Sequence, residues 1–588
     1  MRNKILKRVI TVIFLLLHTL EIFGANLVVD PNSTYNTKID ESRNGVPIVN
    51  ISTPNDRGVS INEFKEYNVD EKGQILNNAD NIGRSYLGGL INANPNLAPN
   101  QAANLIILQV NGSNRSQIEG YLEALSRQKV DVILANENGL YINNSGTINI
   151  KNFTATTGKL NLKDGDFVGI DVEKGNVLIG PKGFNGNNTD YVDIIAKTLE
   201  LRGNIVANNL NIKTGSNDKN SSNTLAIDAS ELGGMYAGVI KIVSTDKGVG
   251  VNSDSFIVSK DKKLEITADG QIKINKVQAK GVDIKGKEYV QKDLTYSDGD
   301  ISIKADKIKL AGTAMSGNKV SLNGDVENSS NISVKENLNL NNLNNTGAVA
   351  TEKELEINGS LENKGKIQAI EDIKISENAN NSGSILTNSK FSSKDLRNTN
   401  ELKANKEISV KNLENTGNIL TGDILNVDGS LNNSGSIQAN SKIEVANNLK
   451  NNGSVKSLDS ISINGNVNND GEILTNKSFI AKDVVSSKTL IAKENISVGN
   501  LNNTGAVATE KKLEINGSLE NKGKIQAIED IKISENANNS GSILTNSKFS
   551  SKDLRNINEL KANKEISVKN LENTGNVSTA SSLHINES

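Results

Sequence analysis

The strongest constraint on this chain is a short internal repeat. Glycines recur at Gly347, Gly365, Gly383, Gly417, Gly435, Gly453, Gly471, Gly505, Gly523, Gly541 and Gly575, inside a pattern of the form Leu-x-Asn-x-Gly-x-Ile. Successive glycines lie 18 or 34 residues apart. Each 34 reads as two units of 17 in which the glycine is replaced, by Asn400, Lys488 and Asn558. A longer repeat contains the short one: Leu343 to Asn418 returns as Leu501 to Asn576, shifted by 158 residues. The two copies differ only at Glu354 against Lys512 and Thr399 against Ile557, and the shift equals nine short units.

A unit this short cannot be a helical hairpin repeat, and its apolar residues alternate with polar ones, as in Lys512 to Ile533. Alternation of period two means strands, so each unit is expected to form one coil of a β-helix. The fold class that follows is all-β: a right-handed parallel β-helix, or solenoid, throughout the mature chain. Each coil carries two or three short strands, turns at Asn-x-Gly, and stacks like residue on like. Asparagines at equivalent turns are expected to hydrogen-bond in a ladder along the axis. About fifteen coils from Asn328 onward would extend about 70 Å at about 4.8 Å per strand. Near-identical copies fit an array in which each coil contacts only its neighbours.

Composition agrees with this. The 588-residue chain has no Trp, 10 Phe and 9 Tyr, so its core must come from stacked Ile, Leu and Val. It has no Cys, which excludes disulfides and thiolate metal sites. Lys and Arg number 66 against 68 Asp and Glu, so no polyanionic partner such as nucleic acid is implied.

Residues 1–25 read as a signal peptide. Arg2, Lys4, Lys7 and Arg8 precede an apolar run from Val9 to Leu17, with cleavage expected after Gly24 or Ala25. Residues 26–252 form a strand-rich N-terminal domain, 253–327 a transitional β-helix, and 328–588 the β-helix of short repeats. In the N-terminal domain, strands are expected at Leu27–Val29, Val46–Ile51, Leu105–Val110, Val130–Leu134, Val177–Ile179 and Ile240–Val243. Pro47 suggests that the second of these lies at an edge. Asn55-Asp56-Arg57-Gly58 and Asn138-Gly139 have turn chemistry. Arg115 to Gln128 is expected to be a short helix, with Ser116 as its cap, or an irregular excursion, because Ile118, Leu122 and Leu125 have helical spacing.

Three stretches of this domain carry a family resemblance: Asn94-Pro95-Asn96-Leu97, then Asn136-Glu137-Asn138-Gly139-Leu140, then Asp228 to Asn252. In that order they resemble the N-terminal secretion domain of filamentous haemagglutinin-type exoproteins, the passengers of two-partner secretion. The first is a full NPNL motif. The second departs from NPNGI, with Glu137 for Pro and Leu140 for Ile, while keeping the turn glycine. The resemblance implies export through an outer-membrane β-barrel transporter with POTRA domains, and a secreted or surface-exposed adhesin or haemagglutinin of a Gram-negative bacterium. Its further partner would be a receptor on a host or bacterial surface. The alternative it implies is the truncated β-helical stalk of a contact-dependent growth-inhibition toxin.

The residues offer little for catalysis. Glu371-Asp372 and Glu529-Asp530 recur in both copies on alternating, exposed strands, where they are expected to be solvated. His584 has no His or Cys partner once His18 is removed, and the nonapeptide of calcium-binding β-rolls is absent. No enzymatic activity, small-molecule substrate, cofactor or metal is therefore expected. The standard unit persists to Leu571–Gly575, and the Ser-rich stretch Asn576 to Ser588 has no evident cap, so an open, pairing-competent edge is expected there.

Overall fold

A computed structural model describes residues 27–216, 225–229 and 234–586. Residues 1–25, expected to be a signal peptide, and part of the third motif stretch, residues 230–233, lie outside the described residues. The chain divides into two compact units, Met1–Asp298 and Gly299–Ser588. Among the described residues every regular element is a strand.

In the first unit the strands stack in three parallel columns. One column runs through Val59–Glu66, Leu105–Val110, Val130–Asn136, Ile150–Thr156 and Tyr191–Ala196, each hydrogen-bonded in parallel to the next. A second runs through Pro47–Asn50, Gln74–Asn77, Tyr121–Leu125, Ser145–Ile148 and Phe184–Gly186. The third runs through Ser116–Ile118, Leu140–Ile142, Asn176–Ile179, Thr198–Leu201 and Leu225–Ala229. Ile106, Leu108, Leu122, Leu134, Leu140 and Val177 point into the space between the columns and are fully buried. Antiparallel strands cover the first coil: Val28–Val29 pairs with Val59–Glu66, and Lys38–Glu41 with Pro47–Asn50. They cap edges that would otherwise present unpaired backbone groups.

Two expectations are corrected here. The Pro47–Asn50 strand is not an edge: it pairs on one side with Lys38–Glu41 and on the other with Gln74–Asn77. Pro47 is tolerated because it is the first residue of the strand and meets only Glu41. The expected helix at 115–128 is instead two strands, Ser116–Ile118 and Tyr121–Leu125, in different columns. Gly120 sits at the corner, where an added Cβ would lie 2.0 Å from the Asp70 carbonyl oxygen.

Two antiparallel hairpins stand outside the columns. Gly83–Ser85 with Gly89–Ile91 covers an apolar patch of Val46, Ile48, Ile75 and Leu125. Lys159–Lys163 with Asp166–Asp171 brings Leu160, Phe167 and Ile170 onto Ile61, Ile107 and Ile133. Its turn is Asp164-Gly165, both with positive φ, the signature of a primed two-residue hairpin turn.

The second unit repeats a three-strand coil whose strands stack in parallel. Leu425, Ile443, Ile461, Phe479, Ile496 and Leu513 form part of one stack, and Leu413, Leu431, Leu449, Val467, Val484 and Leu501 part of the next. Ile419, Ile437, Val455, Ile473 and Leu490 belong to the third. The difference between 17 and 18 residues is absorbed at one corner. Leu425 to Leu431 spans six positions, whereas Ile408 to Leu413 spans five within a single strand, Ile408–Asn415.

The expected asparagine ladder is present and, up to Asn556, buried. From Asn328 through Asn345, Asn363, Asn381, Asn398, Asn415, Asn433, Asn451 and Asn469, each side-chain Nδ2 donates to the next Oδ1 at 2.7–2.9 Å. Asn469 donates instead to Ser486 Oγ at 3.2 Å, and the run resumes from Asn503 to Asn573. A second stack supports the corner beyond the third strand, where the hydroxyls of Thr351, Thr421, Thr475 and Thr509 donate to carbonyls of the preceding coil. Where a repeat glycine stacks on the coil before it, close approach and not an unusual dihedral explains it: a Cβ on Gly453 would meet the Gly435 carbonyl oxygen at 2.1 Å.

Candidate functional site: two asparagine turns of the first unit

The two asparagine motifs fold into the same device. In each, the first asparagine follows a strand or extended segment and its side chain turns back into the protein. Asn94 and Asn136 are both 1% exposed. The Oδ1 of each accepts the backbone N–H two residues on: Asn96 N to Asn94 at 2.9 Å, and Asn138 N to Asn136 at 2.9 Å. The bend is closed by a backbone hydrogen bond, Leu97 N to Asn94 O at 3.1 Å and Gly139 N to Asn136 O at 3.0 Å. These are turns in which a short polar side chain replaces a further backbone partner.

The Nδ2 groups anchor the turns to neighbouring coils. Asn94 donates to the carbonyls of Ile51 at 3.0 Å and Asn77 at 2.8 Å. Asn136 donates to Asn114 O and to Ser116 Oγ, both at 2.9 Å. The second asparagine of each motif also reaches backbone: Asn96 to Asn36 O at 2.9 Å and Ile51 O at 3.0 Å, Asn138 to Gly112 O at 2.7 Å. Thr53 Oγ1 donates to Asn96 O at 2.9 Å, closing a loop of contacts among the N-terminal segments.

The position between the asparagines is turned outward in both motifs. Pro95 is exposed and Glu137 half-buried, so the departure from proline at 137 leaves the hydrogen bonds of the turn intact. Gly139 is demanded twice over, by its φ of +114° and by a Cβ that would lie 2.9 Å from the Asn176 carbonyl oxygen. Leu140 then enters the core between Ser116 and Val177. Arg115 packs beside this turn. It donates to Leu140 O at 3.1 Å and lies over the Tyr141 ring at 5.5 Å, with burial lowering its pKa from the ordinary value. A surface cavity of about 380 Å³ opens beside it, bordered by Glu137, Asn138, Lys159 and Lys174.

One polar residue that the sequence reading passed over organises a neighbouring region. Glu123 is 2% exposed, and its carboxylate accepts from Ser85 Oγ at 2.6 Å, Tyr86 N at 2.7 Å and Leu87 N at 2.9 Å. It therefore clamps the tip of the first hairpin. A charged residue within an apolar run, between Leu122 and Ala124, is the signal that could have found it.

The residues weighed for chemistry stay apart. Glu371 is exposed, and Asp372 Oδ1 accepts the Lys390 backbone N–H. His584 Nε2 lies 3.8 Å from Glu565 Oε1 at the surface. Among the described residues no group of three or more His, Asp or Glu could hold a metal ion.

Residues 27–274 match the family model of the TPS secretion domain. The chain therefore carries a TPS secretion domain, the domain of two-partner-secretion exoproteins, within residues 27–274. Its curated relatives include proteins named as toxins and as nucleases. It is 37% identical over 264 residues to "Toxin CdiA" of Yersinia pestis, covering 42% of this chain and 8% of that protein. It is 36% identical over 296 residues to "16S rRNA endonuclease CdiA" of Enterobacter cloacae, covering 48% of this chain and 8% of that one. A third relative, "tRNA nuclease CdiA-2" of Burkholderia pseudomallei, is 35% identical over 246 residues, 40% of this chain and 8% of that protein. These matches thus span about a twelfth of each relative's length. Among solved structures, the filamentous hemagglutinin secretion domain matches at 27% identity with a TM-score of 0.38, covering 52% of this chain and 98% of that one.

Proposed function

We propose that this protein is a surface-exposed or secreted adhesin whose second unit makes contact with another cell. A TPS secretion domain implies an outer-membrane transporter as partner and export by a Gram-negative bacterium. The observation that carries the reading is the second unit itself. It is a stack of coils in parallel register whose outward residues are mainly polar, and the residues weighed for catalysis stay scattered across it. On that ground we take its role to be binding and presentation, without enzymatic activity, cofactor or nucleic-acid partner.

A second reading is favoured by the relatives' names. The same array could serve as part of the presenting stalk of a contact-dependent toxin, holding an activity carried elsewhere away from the producing cell. Both readings share export and surface display; they differ in the cell contacted and the consequence. Purified protein spanning the second unit, applied to mammalian cells and to related bacteria, separates them. Saturable attachment to host cells supports the adhesin. Attachment confined to related bacteria supports the stalk, and binding to neither overturns both as functions of this unit.

A further inference from the structure

The second unit carries a groove bordered by polar side chains that the export reading does not use. It runs along the outer face of the middle strand column, where two surface cavities of about 390 and 370 Å³ meet at Asn378 and Asn380. Its floor is the outward row Asn344, Glu362, Asn380, Arg397, Glu414 and Asn432, one residue per coil in register. Its shoulder is a second row, at the corner before the strand, in which Asn342 donates to Asp325 at 2.7 Å and Asn412 to Asp395 at 2.8 Å.

We propose that this groove binds a linear, hydroxyl-rich glycan without anionic groups, one sugar per coil. Three features point to that class. The groove offers carboxylates and amides, groups that accept from and donate to hydroxyls, repeated at every coil. The repeat is about 4.8 Å, comparable to the rise of one pyranose unit in an extended chain. Its charged groups are Asp325, Glu327, Glu362, Asp395 and Glu414 against the single Arg397, so a sulfated or carboxylated chain is repelled. Arg397 is itself 3.7 Å from Glu414 in an exposed pair, which a ligand can displace at little cost.

The long duplication supplies a second copy of the centre of this groove. Asn378, Asn380, Asp395, Arg397, Asn412 and Glu414 return as Asn536, Asn538, Asp553, Arg555, Asn570 and Glu572. The internal contacts return too: Asn570 donates to Asp553 at 2.7 Å, and Arg555 lies 3.2 Å from Glu572. Nine coils separate the copies, about 43 Å at about 4.8 Å per coil, so one polymer strand can occupy both. Each site is shallow and lacks an aromatic platform, and two linked sites raise the retention of a polymer by about a hundredfold or more over one.

This inference rests on the adhesin reading, and its test is separate from cell attachment. The purified mature chain is titrated calorimetrically with an N-acetylglucosamine hexamer, a glucosamine hexamer and a heparin-derived hexasaccharide. The expected result is two sites per chain for one or both non-anionic hexamers and none for the heparin fragment. Asn380→Lys and Asn538→Lys, both at exposed positions, should each leave one site, and the double variant none. In the unaltered protein, the bound hexamer should slow amide exchange in Ala379–Asn381 and Ala537–Asn539. Preference for the heparin fragment, uptake that survives the double variant, or no uptake and no protection would each overturn the groove. Cell attachment persisting in the double variant would show that the adhesin reading stands on another surface.

Discussion

Asn363 donates through Nδ2 to Asn381 Oδ1 at 2.8 Å, while its own Oδ1 accepts from Asn345 one coil earlier at the same distance. Both groups are buried, so the ladder satisfies side chains that could not be left unpaired, and it fixes the register of each coil on the next. A one-residue slip would break it and would also turn every inward Leu and Ile outward.

Asn433→Ala tests this link. The side chain is 2% exposed and donates to Asn451 Oδ1 at 2.8 Å while accepting from Asn415. Removing it strands partners on both sides, with an expected cost of about 1–3 kcal/mol. Asn432→Ala, one residue earlier and exposed, should change stability by less than about 0.5 kcal/mol. Because coils stack as a one-dimensional array, amide exchange in Leu431–Asn433 and its neighbours reads the cost more directly than a global melt.

Gly453→Ala tests the close stacking at the other side of that corner. The new methyl would lie 2.1 Å from the Gly435 carbonyl oxygen, a backbone atom that cannot move without its coil. The loss should be at least about 1–3 kcal/mol, as for overpacked cores. At Gly89 nothing lies within 4 Å of a built Cβ and only the positive φ of 73° is at issue. Alanine there should cost about 1–2 kcal/mol. Parallel denaturant titrations compare the two.

These features of the second unit were legible because its period is short and its core alternates: the stacked Leu and Ile, the Asn-x-Gly corners and the asparagine ladder follow from spacing alone. The first unit was read less well where a strand is buried on both faces. Leu122 and Ala124 point into the core, while Glu123 and Leu125 lie under the first hairpin, so the segment loses its alternation. Its remaining spacing imitated a helix. The second hairpin was legible in principle from Asp164-Gly165 between alternating residues. The motif turns were found by their asparagines, but their anchors, Asn77, Asn114 and Ser116, come from distant positions that no local pattern marks.

Asp193 gives a pH test in the first unit. Burial raises its pKa above the ordinary carboxylate value, against the opposing hydrogen bond from Asn211 at 2.8 Å. A carboxyl with a folded pKa above its unfolded one binds its proton more tightly in the native state. Its contribution is therefore fully present below the unfolded value and is lost as pH rises through the folded one. Asp193→Asn should leave stability near pH 3 unchanged and raise it at pH 7. Denaturant midpoints at the two pH values check the sign.

Asn94→Ala and Asn136→Ala should each cost about 1–3 kcal/mol, because each removes a buried side chain that holds its turn to two neighbouring groups. Pro95→Ala, at an exposed position, should cost no more than about 1 kcal/mol. If the turns serve export through folding, secreted yield should fall with the two asparagine variants and hold with the proline variant. Normal yield of all three with normal stability would remove the turns from the export account.

The central claim, that the first unit addresses the chain to an outer-membrane transporter, is tested most directly by secretion of that unit alone. Residues 1–298 would be expressed in a Gram-negative host with and without the two-partner transporter from the same genome, and protein measured in periplasm and medium. The account predicts folded protein in the medium only when the transporter is present. Retention in the periplasm with the transporter present, or equal release without it, would contradict it.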